Sequence, residues 1–336
     1  MIFFRKKYIS FLKNINQSTQ DNFIKKVFFH RDFLRFQGGH LKVWNYFNHL
    51  KSTQDYLPEI YFSPSSIHDS NNPWQFTSKL KEWSPGLADI LFLAGLDWQS
   101  VLNNKLYVEK RSKIPVINLI QGLSHADPQD IKYPFLSKRA IRICVSNQVE
   151  SAISSTGKVN GPIFTIPNGV DLDNLPMPLS SSQKDIELLI VAIKKPQLGH
   201  EIEKYLKGKY KVVLTISSLL PRNDFINILN RARLVVCLPH FVEGFYLPAL
   251  EAMALGCIVI CPDCIGNRSF CLDQQTCFLP KYDIGSIIEA IDQVGLLNSQ
   301  QHKALLENAT KQVKIHSLEQ EREQFLAIMK NLSNIW

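Results

Sequence analysis

The segment FVEGFYLPALEAMALGCIVICPD, residues 241–263, decides the fold of this chain. Pro248 is tolerated in the first turn of an α-helix, and Gly256 suits the position just past a helix end. The segment therefore predicts a helix over about residues 247–255. The apolar run CIVICP, residues 257–262, follows at once and predicts a buried strand.

Two carboxylates frame the start of this helix. Glu243 lies in the loop ahead of it, and Glu251 lies about one turn inside it. The N–H groups near Phe245, Tyr246 and Leu247 are expected to be free, and such a helix end favours phosphate by about 0.3–1 kcal/mol, or up to about 2 kcal/mol when partly buried. A bound diphosphate would leave Glu243 beside the group it carries and Glu251 beside the adjoining ribose diol. That arrangement suits a sugar nucleotide.

The rest of the chain alternates short apolar strands with amphipathic helices, which is typical of parallel sheets covered on both faces. Strands are predicted at residues 26–30, 59–63, 88–95, 115–120, 141–146, 163–167, 186–193, 211–217, 234–239 and 257–262. Further helices are predicted at residues 39–52, 134–140, 148–156, 200–208 and 224–232, with successive helices from residue 286 to the end. The fold class is therefore α/β.

A run rich in Pro, Ser, Asn and Asp, residues 168–185, separates two such sets of elements and is predicted to be a linker. We therefore predict an N-terminal Rossmann-like acceptor-side domain over residues 1–175. A C-terminal Rossmann-like donor domain with terminal helices is predicted over residues 176–336. Open parallel sheets bind ligands at the carboxyl ends of their strands, so the site is expected in the cleft between the domains.

Composition and charge narrow the function classes. The net charge is +8, and it is uneven: residues 1–178 carry 21 Lys+Arg against 14 Asp+Glu, and the remainder carries 17 against 16. The basic half should meet an anionic partner. Nucleic acid is disfavoured because the lysines are scattered and no nucleic-acid module signature accompanies them. A peripheral contact of the basic domain with a membrane surface stays open; for RKKYISFLKNI, residues 5–15, a solvated segment is the simpler interpretation.

The order of the first residues, apolar and then charged, is wrong for a secretory signal, so we expect a cytoplasmic protein. Seven cysteines without such a signal argue against a disulfide framework. CPDC, residues 261–264, raises a zinc alternative with Cys271 and Cys277 as further ligands. No second C-x-x-C completes that set, so small buried hydrophobic residues are the default interpretation.

Several motifs of this chain resemble those of a known family. EGFYLPALEAMALG, residues 243–256, resembles the E-x7-E signature of retaining glycosyltransferases with the GT-B fold, in which two Rossmann-like domains face each other across a cleft. FTIPNGVDLDNL (164–175), ICVSNQVESAI (143–153) and FQGGHLKVW (36–44) resemble further motifs of the same family, in the family's order. The resemblance covers about residues 27–280.

The resemblance implies a role for each matching residue. Glu243 would contact the donor sugar and stabilise its developing positive charge, and Glu251 would hold the nucleotide ribose. The donor diphosphate would be bound by the lysines after the first strand of the second domain and by the backbone of the motif and of the glycine-rich loop: Lys194, Lys195, Gly244, Phe245, Tyr246, Leu247 and Gly39. The family implies no metal and no cofactor. Asp171 of the run DLD, residues 171–173, belongs to the linker motif, so no metal site is predicted there.

Three histidines are candidates for a role in or near the site. Relatives commonly carry a histidine near the donor sugar after the fourth strand, where this chain has Gln121 and Gly122, with His125 three residues later. His125 is therefore either a catalytic donor contact or an ordinary loop histidine. His40 is a comparable candidate on the acceptor side, and His49 is interpreted as structural.

The sequence thus predicts a retaining, metal-independent glycosyltransferase of the hexosyltransferase type. It would move a sugar from a nucleotide-sugar donor, such as a UDP- or GDP-sugar, to a glycan or lipid-linked acceptor in cell-surface polysaccharide biosynthesis. The alternative is a non-catalytic GT-B-fold protein that binds a nucleotide sugar or acts as a scaffold. An epimerase or phosphorylase on this fold would need a base pair at the sugar or a cofactor lysine, and the sequence shows neither.

Overall fold

The computed structural model describes residues 24–336 and contains two parallel sheets. The first has the order β2-β1-β3-β4-β5-β6, with β1 Lys25–Arg31, β2 Tyr56–Phe62, β3 Ile90–Ala94, β4 Val116–Ile120, β5 Ile141–Cys144 and β6 Ile163–Thr165. The second has the order β10-β9-β7-β8, with β7 Ile186–Val191, β8 Val213–Ile216, β9 Ala232–Cys237 and β10 Ile258–Ile260. The predicted α/β fold with two Rossmann-like units is confirmed.

Helices cover the faces of these sheets. They are α1 Gly38–Lys51, α2 Trp98–Leu102, α3 Lys105–Lys110, α4 Asn147–Ser154, α5 Pro196–Leu206, α6 Arg222–Arg231, α7 Leu247–Ala254, α8 Ile284–Gly295, α9 Ser299–Ile315, α10 Leu318–Lys330 and α11 Leu332–Ile335. Short 3-10 turns occur at Pro85–Leu87, Gly95–Asp97, Leu123–Ala126, Tyr133–Ser137 and Ile265–Asn267. Each of the ten predicted strands is present, and α7 lies where the motif places it.

The helix predicted over residues 134–140 is wrong: only a 3-10 turn, Tyr133–Ser137, forms there. The cause is Arg142, which is fully buried on β5. Its guanidinium donates to the carbonyl oxygens of Phe135, Leu136 and Lys138 at 2.6–3.1 Å. These carbonyls therefore bind a side chain instead of continuing a helical ladder.

The C-terminal helix α10 crosses back onto the first sheet's unit. Phe325 packs edge to face on Tyr46 of α1 with ring centroids 4.8 Å apart, and the Tyr56 hydroxyl donates to the carbonyl oxygen of Met329 at 2.9 Å. At the end of the chain, Trp336 lies under the guanidinium of Arg139. Helix α10 therefore packs on the first domain, whereas Ile287 and Ile291 of α8 belong to the core of the second sheet.

A buried ion cluster fixes this crossing. We call it the Glu321 cluster: Glu321 on α10, Lys42 and His49 on α1, and Gly169 of the linker. The Glu321 carboxylate is fully buried and accepts from Lys42, from His49 Nε2 at 3.0 Å and from the Gly169 N–H at 2.5 Å. Burial pushes the pKa of Glu321 upward, but Lys42 and His49 outweigh it and hold that pKa below its usual value. The cluster therefore joins the linker, at Gly169, and helix α10, at Glu321, to α1 of the first domain.

Within residues 24–336, no helix has both the length and the apolar character needed to cross a bilayer. The lipid contact considered for the first residues lies outside the described part of the chain. All seven cysteines are buried and free of disulfides. In the same described range, no group of three or more His, Cys, Asp or Glu side chains is arranged to hold a metal ion.

The Glu321 cluster predicts a large stability effect. Glu321→Gln leaves the Lys42 charge buried without a counter-charge, so the free energy of unfolding should fall by about 3–5 kcal/mol in urea titrations. Glu319→Gln is the matched control on the same helix, because Glu319 pairs with Arg322 at the surface and such pairs contribute about 0–1 kcal/mol. Equal losses in the two variants would contradict the role assigned to the cluster.

Candidate functional site

The two domains meet closely at Gly244, one of the predicted site residues. A Cβ atom on Gly244 would collide with the backbone carbonyl oxygen of Gln121, which directly follows β4. The Gln121 side chain in turn donates from Nε2 to the carbonyl oxygen of Gly39 at 3.3 Å. Gln121 therefore lies between the two predicted site residues: its side chain contacts Gly39, and its backbone contacts Gly244. Gln121 had no assigned role, and its only sequence signal was its place at the end of the fourth strand.

Glu243 is paired with Lys194 at the carboxyl edge of the second sheet. Lys194 Nζ lies 3.5 Å from Glu243 Oε1, and both side chains remain partly exposed. Lys195 lies over the ring of Tyr282, with its Nζ 5.9 Å from the ring centroid. A partly exposed ion pair stabilises a fold little, so it can rearrange when an anion binds. The two predicted lysines thus flank the Glu243 side of the site.

The start of α7 differs from expectation in one respect. The N–H group of Tyr246 is not free, because it donates to the carbonyl oxygen of Gly266 at 3.1 Å. Gly266 approaches so closely that a Cβ atom there would lie 2.6–2.7 Å from Phe245 N and Glu243 O. The side chains of Phe245, Tyr246 and Leu247 are all buried. For the N–H groups of Phe245 and Leu247, no hydrogen bond occurs within residues 24–336.

Glu251 is placed on a cavity of about 490 Å³ between the domains. Its Oε1 accepts from Arg222 Nη2 at 2.6 Å, and Glu251 is only 2% exposed. Although burial opposes it, the Glu251 carboxylate raises the pKa of Arg222 above its usual value. The wall is formed by Leu41, Trp44 and Asn45 of α1, residues 169–171 and 174–176 of the linker, Arg222, Asn223, Ile226 and Asn227 of α6, and Leu247 and Glu251 of α7.

The sequence missed Arg222, because nothing in the α6 pattern marks one arginine as the partner of Glu251. Glu243 is not among the residues that line the Glu251 cavity. The two glutamates therefore lie on either side of the start of α7, and each has its own cation. This arrangement can bind an elongated ligand with an anionic centre and a hydroxylated end.

The three candidate histidines, His125, His40 and His49, differ in their burial and in their contacts. His125 is 6% exposed, its Nδ1 lies 3.1 Å from the carbonyl oxygen of Gly122, and burial lowers its pKa to about 4. His40 directly follows Gly39, and burial lowers its pKa to about 4 as well. His49 belongs to the Glu321 cluster, in agreement with its structural interpretation. Gln121, rather than His125, is the residue in contact with Gly39 and Gly244.

Comparison with known proteins supplies the family of the second domain. Residues 177–312, less than half of the chain, match the family model described as glycosyl transferases group 1. This segment contains both glutamates of the motif and both lysines. The matched segment covers most of the predicted second domain. The prediction of a glycosyltransferase is thereby confirmed at the level of this domain.

Solved structures show the fold over 92% of this chain. Sucrose-phosphate synthase from Thermosynechococcus elongatus is similar with a TM-score of 0.69 and 13% identity, over 92% of this chain and 99% of that one. Anabaena HepE in complex with UDP-glucose is similar with a TM-score of 0.70 and 13% identity, over 92% of this chain and 100% of that one. These likenesses confirm the GT-B fold. The sequence matches no curated protein.

The close approach at Gly244 yields a stability prediction. Gly244→Ala forces a methyl group against the Gln121 backbone, and such overpacking typically costs about 1–3 kcal/mol. Gly38→Ala is the matched control, because no atom lies within 4 Å of an added Cβ and alanine favours a helix. Urea titration should show a lower free energy of unfolding for Gly244→Ala alone. A Gly244→Ala protein as stable as the control would contradict the described contact.

The buried His125 yields a prediction about pH. Its folded-state pKa of about 4 lies below the usual value of about 6.5, so the unfolded chain binds more protons between these values. The contribution of neutral His125 to the free energy of unfolding is therefore present above pH 6.5 and is lost as the pH falls toward 4. At pH 5 the loss is about 2 kcal/mol. Between pH 7.5 and 5, His125→Asn should therefore lose about 2 kcal/mol less unfolding free energy than the wild type. Identical pH dependence in both proteins would contradict the buried, neutral imidazole.

Proposed function

We propose that this protein is a retaining, metal-independent hexosyltransferase that uses a nucleotide-sugar donor. The observation that carries the proposal is the placement of Glu243 beside Lys194 and of Glu251 beside Arg222, on either side of the start of α7. A diphosphate between them would meet the lysines and the helix start, with the sugar near Glu243 and the ribose near Glu251. Anabaena HepE, whose structures carry UDP-glucose or UDP, supports a donor of this kind.

The proposed reaction needs positive charge beside the departing diphosphate and negative charge near the sugar ring. The C1–O bond to the diphosphate breaks while the acceptor oxygen forms its bond to C1 on the same face, which retains the configuration. The acceptor proton passes to a phosphate oxygen. Lys194, Lys195 and the start of α7 stabilise the departing diphosphate, and Glu243 stabilises the positive charge that develops on the sugar ring.

The remaining residues orient the donor. Glu251 binds the ribose hydroxyls, and Arg222 holds the carboxylate in place by its bond to Oε1. Gly39 and Gly244 allow the two backbones to approach the diphosphate from opposite domains. A donor contact from His125 stays a prediction: its Nε2 has no hydrogen-bond partner within residues 24–336, but the side chain is almost fully buried.

The acceptor is proposed to be a glycan or a lipid-linked glycan, with cell-surface polysaccharide biosynthesis as the setting. A cytoplasmic location is part of the proposal, and the excess of positive charge in residues 1–178 supports an approach to an anionic or membrane-borne acceptor. A second candidate function is binding of a nucleotide sugar without catalysis. Gln121 favours it, because it stands where relatives commonly carry a histidine near the donor sugar.

The enzymatic proposal is tested by transfer assays with a panel of sugar nucleotides in the presence of EDTA. Wild-type transfer should survive EDTA, because the proposed diphosphate site uses lysines and backbone N–H groups. Glu243→Gln removes a charge that stabilises the transition state, so its rate should fall roughly a hundredfold to a thousandfold, about 3–4 kcal/mol of barrier. Thermal stabilisation by the nucleotide should persist in this variant.

Glu289→Gln, an exposed glutamate on α8 of the same domain, is the matched control and should transfer at the wild-type rate. Stabilisation by a nucleotide without turnover on any acceptor would favour the binding protein instead. Transfer that is lost in EDTA and restored by a divalent metal, or a product with inverted configuration, would contradict the proposed mechanism.

A further inference from the structure

A second polar cluster lies at the carboxyl ends of β1 and β3 and has no role in the donor site. We call it the Arg31 cluster: Arg31 and His30 of β1, Asp97 after β3, and His40 of α1. Arg31 Nη1 lies 3.4 Å from Asp97 Oδ2, and His30 Nδ1 lies 3.5 Å from Asp97 Oδ1. Both are ion-pair distances beyond good hydrogen-bond geometry. The closest partner of Asp97 is instead the Ala94 N–H, which donates to Oδ2 at 2.8 Å.

Several buried nitrogen atoms in this cluster lack a hydrogen-bond partner. Among residues 24–336, Arg31 Nε, Arg31 Nη1, His30 Nδ1 and His40 Nδ1 are buried and make no hydrogen bond. Folded proteins satisfy nearly all such atoms, so an exception calls for an explanation. The neighbouring Asp32 shows the contrast, because its Oδ1 accepts from the Ser63 and Ser65 hydroxyls at 2.6 and 2.8 Å.

The location connects the cluster to the cleft. His40 directly follows Gly39, whose carbonyl oxygen accepts from Gln121, and the backbone of Gln121 abuts Gly244. The loop that carries Glu243 is thus separated from His40 only by Gln121 and Gly39. The Arg31 cluster therefore lies on the first domain's side of the junction, and Glu243 and Lys194 lie on the other side.

The chemistry of the cluster selects its ligand. Arg31 presents only donors, Asp97 presents only acceptors, and a neutral imidazole such as His40 offers one of each. An anion would be repelled by Asp97 and Asp32, and a cation would be repelled by Arg31. A hydroxyl group both accepts and donates, so it suits all of these groups together. The rings of Trp83 and Tyr61 pack on His30 at 5.0 and 5.7 Å and fix its orientation.

We propose that the Arg31 cluster binds the hydroxyl groups of an uncharged sugar unit, and that this unit is the end of the acceptor that receives the transferred sugar. The inference rests on the proposed function and names its acceptor class: a neutral glycan end, whether or not a lipid carries the rest. Arg31 donates to the ring hydroxyl oxygens, and Asp97 accepts from their protons. His40 lies between this unit and the donor phosphates.

The test measures the binding of short glycosides to the full chain by saturation-transfer NMR. The probes are octyl β-glucoside, octyl β-galactoside, octyl α-mannoside and, as the anionic analogue, octyl β-glucuronide. At least one neutral glycoside should bind, and Arg31→Gln and His40→Ala should each weaken that binding tenfold or more. Arg35→Gln, an exposed arginine in the loop after β1, is the matched control and should bind as the wild type does.

Thermal shift with UDP and GDP on the same proteins keeps the two proposals apart. Loss of glycoside binding with an unchanged nucleotide shift supports the Arg31 cluster, whereas a wild type that no nucleotide stabilises counts against the proposed function alone. If Arg31→Gln fails to fold, Arg31→Lys keeps the charge, removes the fork of donors and should still weaken binding. The inference is overturned if the wild type binds only the glucuronide or binds no glycoside. It is also overturned if folded Arg31 variants bind neutral glycosides as well as the wild type does.

Discussion

One buried carboxylate holds the architecture together. Glu321 accepts from Lys42, from His49 and from the backbone of Gly169, and so joins the C-terminal helix, α1 and the linker in a place without solvent. A Cβ atom on Gly169 would meet the backbone of Ser317 and Leu318, so only glycine permits this approach. Because α1 also begins at the glycine-rich loop, the cluster that fixes α1 fixes the position of Gly39 at the cleft.

The site follows from that constraint. Once α1 is held, Gly39 contacts Gln121, and Gln121 contacts Gly244 of the opposite domain. The start of α7 is then presented to the cleft with one paired glutamate on each side. Cations near both carboxylates keep these groups oriented without a ligand, and the Lys194 pair is exposed enough to exchange its partner for phosphate. Preorganised charge of this kind is what transfer from a diphosphate requires.

The sequence predicted what depends on local pattern. The bounds of α7 followed from Pro248 and Gly256, and the strands followed from apolar runs between turn residues. What it could not predict depends on partners distant in the chain: Arg222 beside Glu251, Gln121 between two glycines, and Glu321 among Lys42, His49 and Gly169. The misplaced helix at residues 134–140 has the same origin, because Arg142 takes its carbonyls. The Tyr246 N–H was expected to be free, yet Gly266 approaches closely enough to accept from it.

In the proposed complex an anionic donor lies across the gap, with its phosphates at the start of α7. Amide hydrogen exchange on the full chain, with and without a panel of UDP- and GDP-sugars, tests this most directly. A bound donor should slow exchange in peptides that cover residues 241–251 and 36–44, and it should leave the exposed side of α8 unchanged. Slowed exchange elsewhere, with no change in residues 241–251 for a sugar nucleotide that binds, would contradict the account.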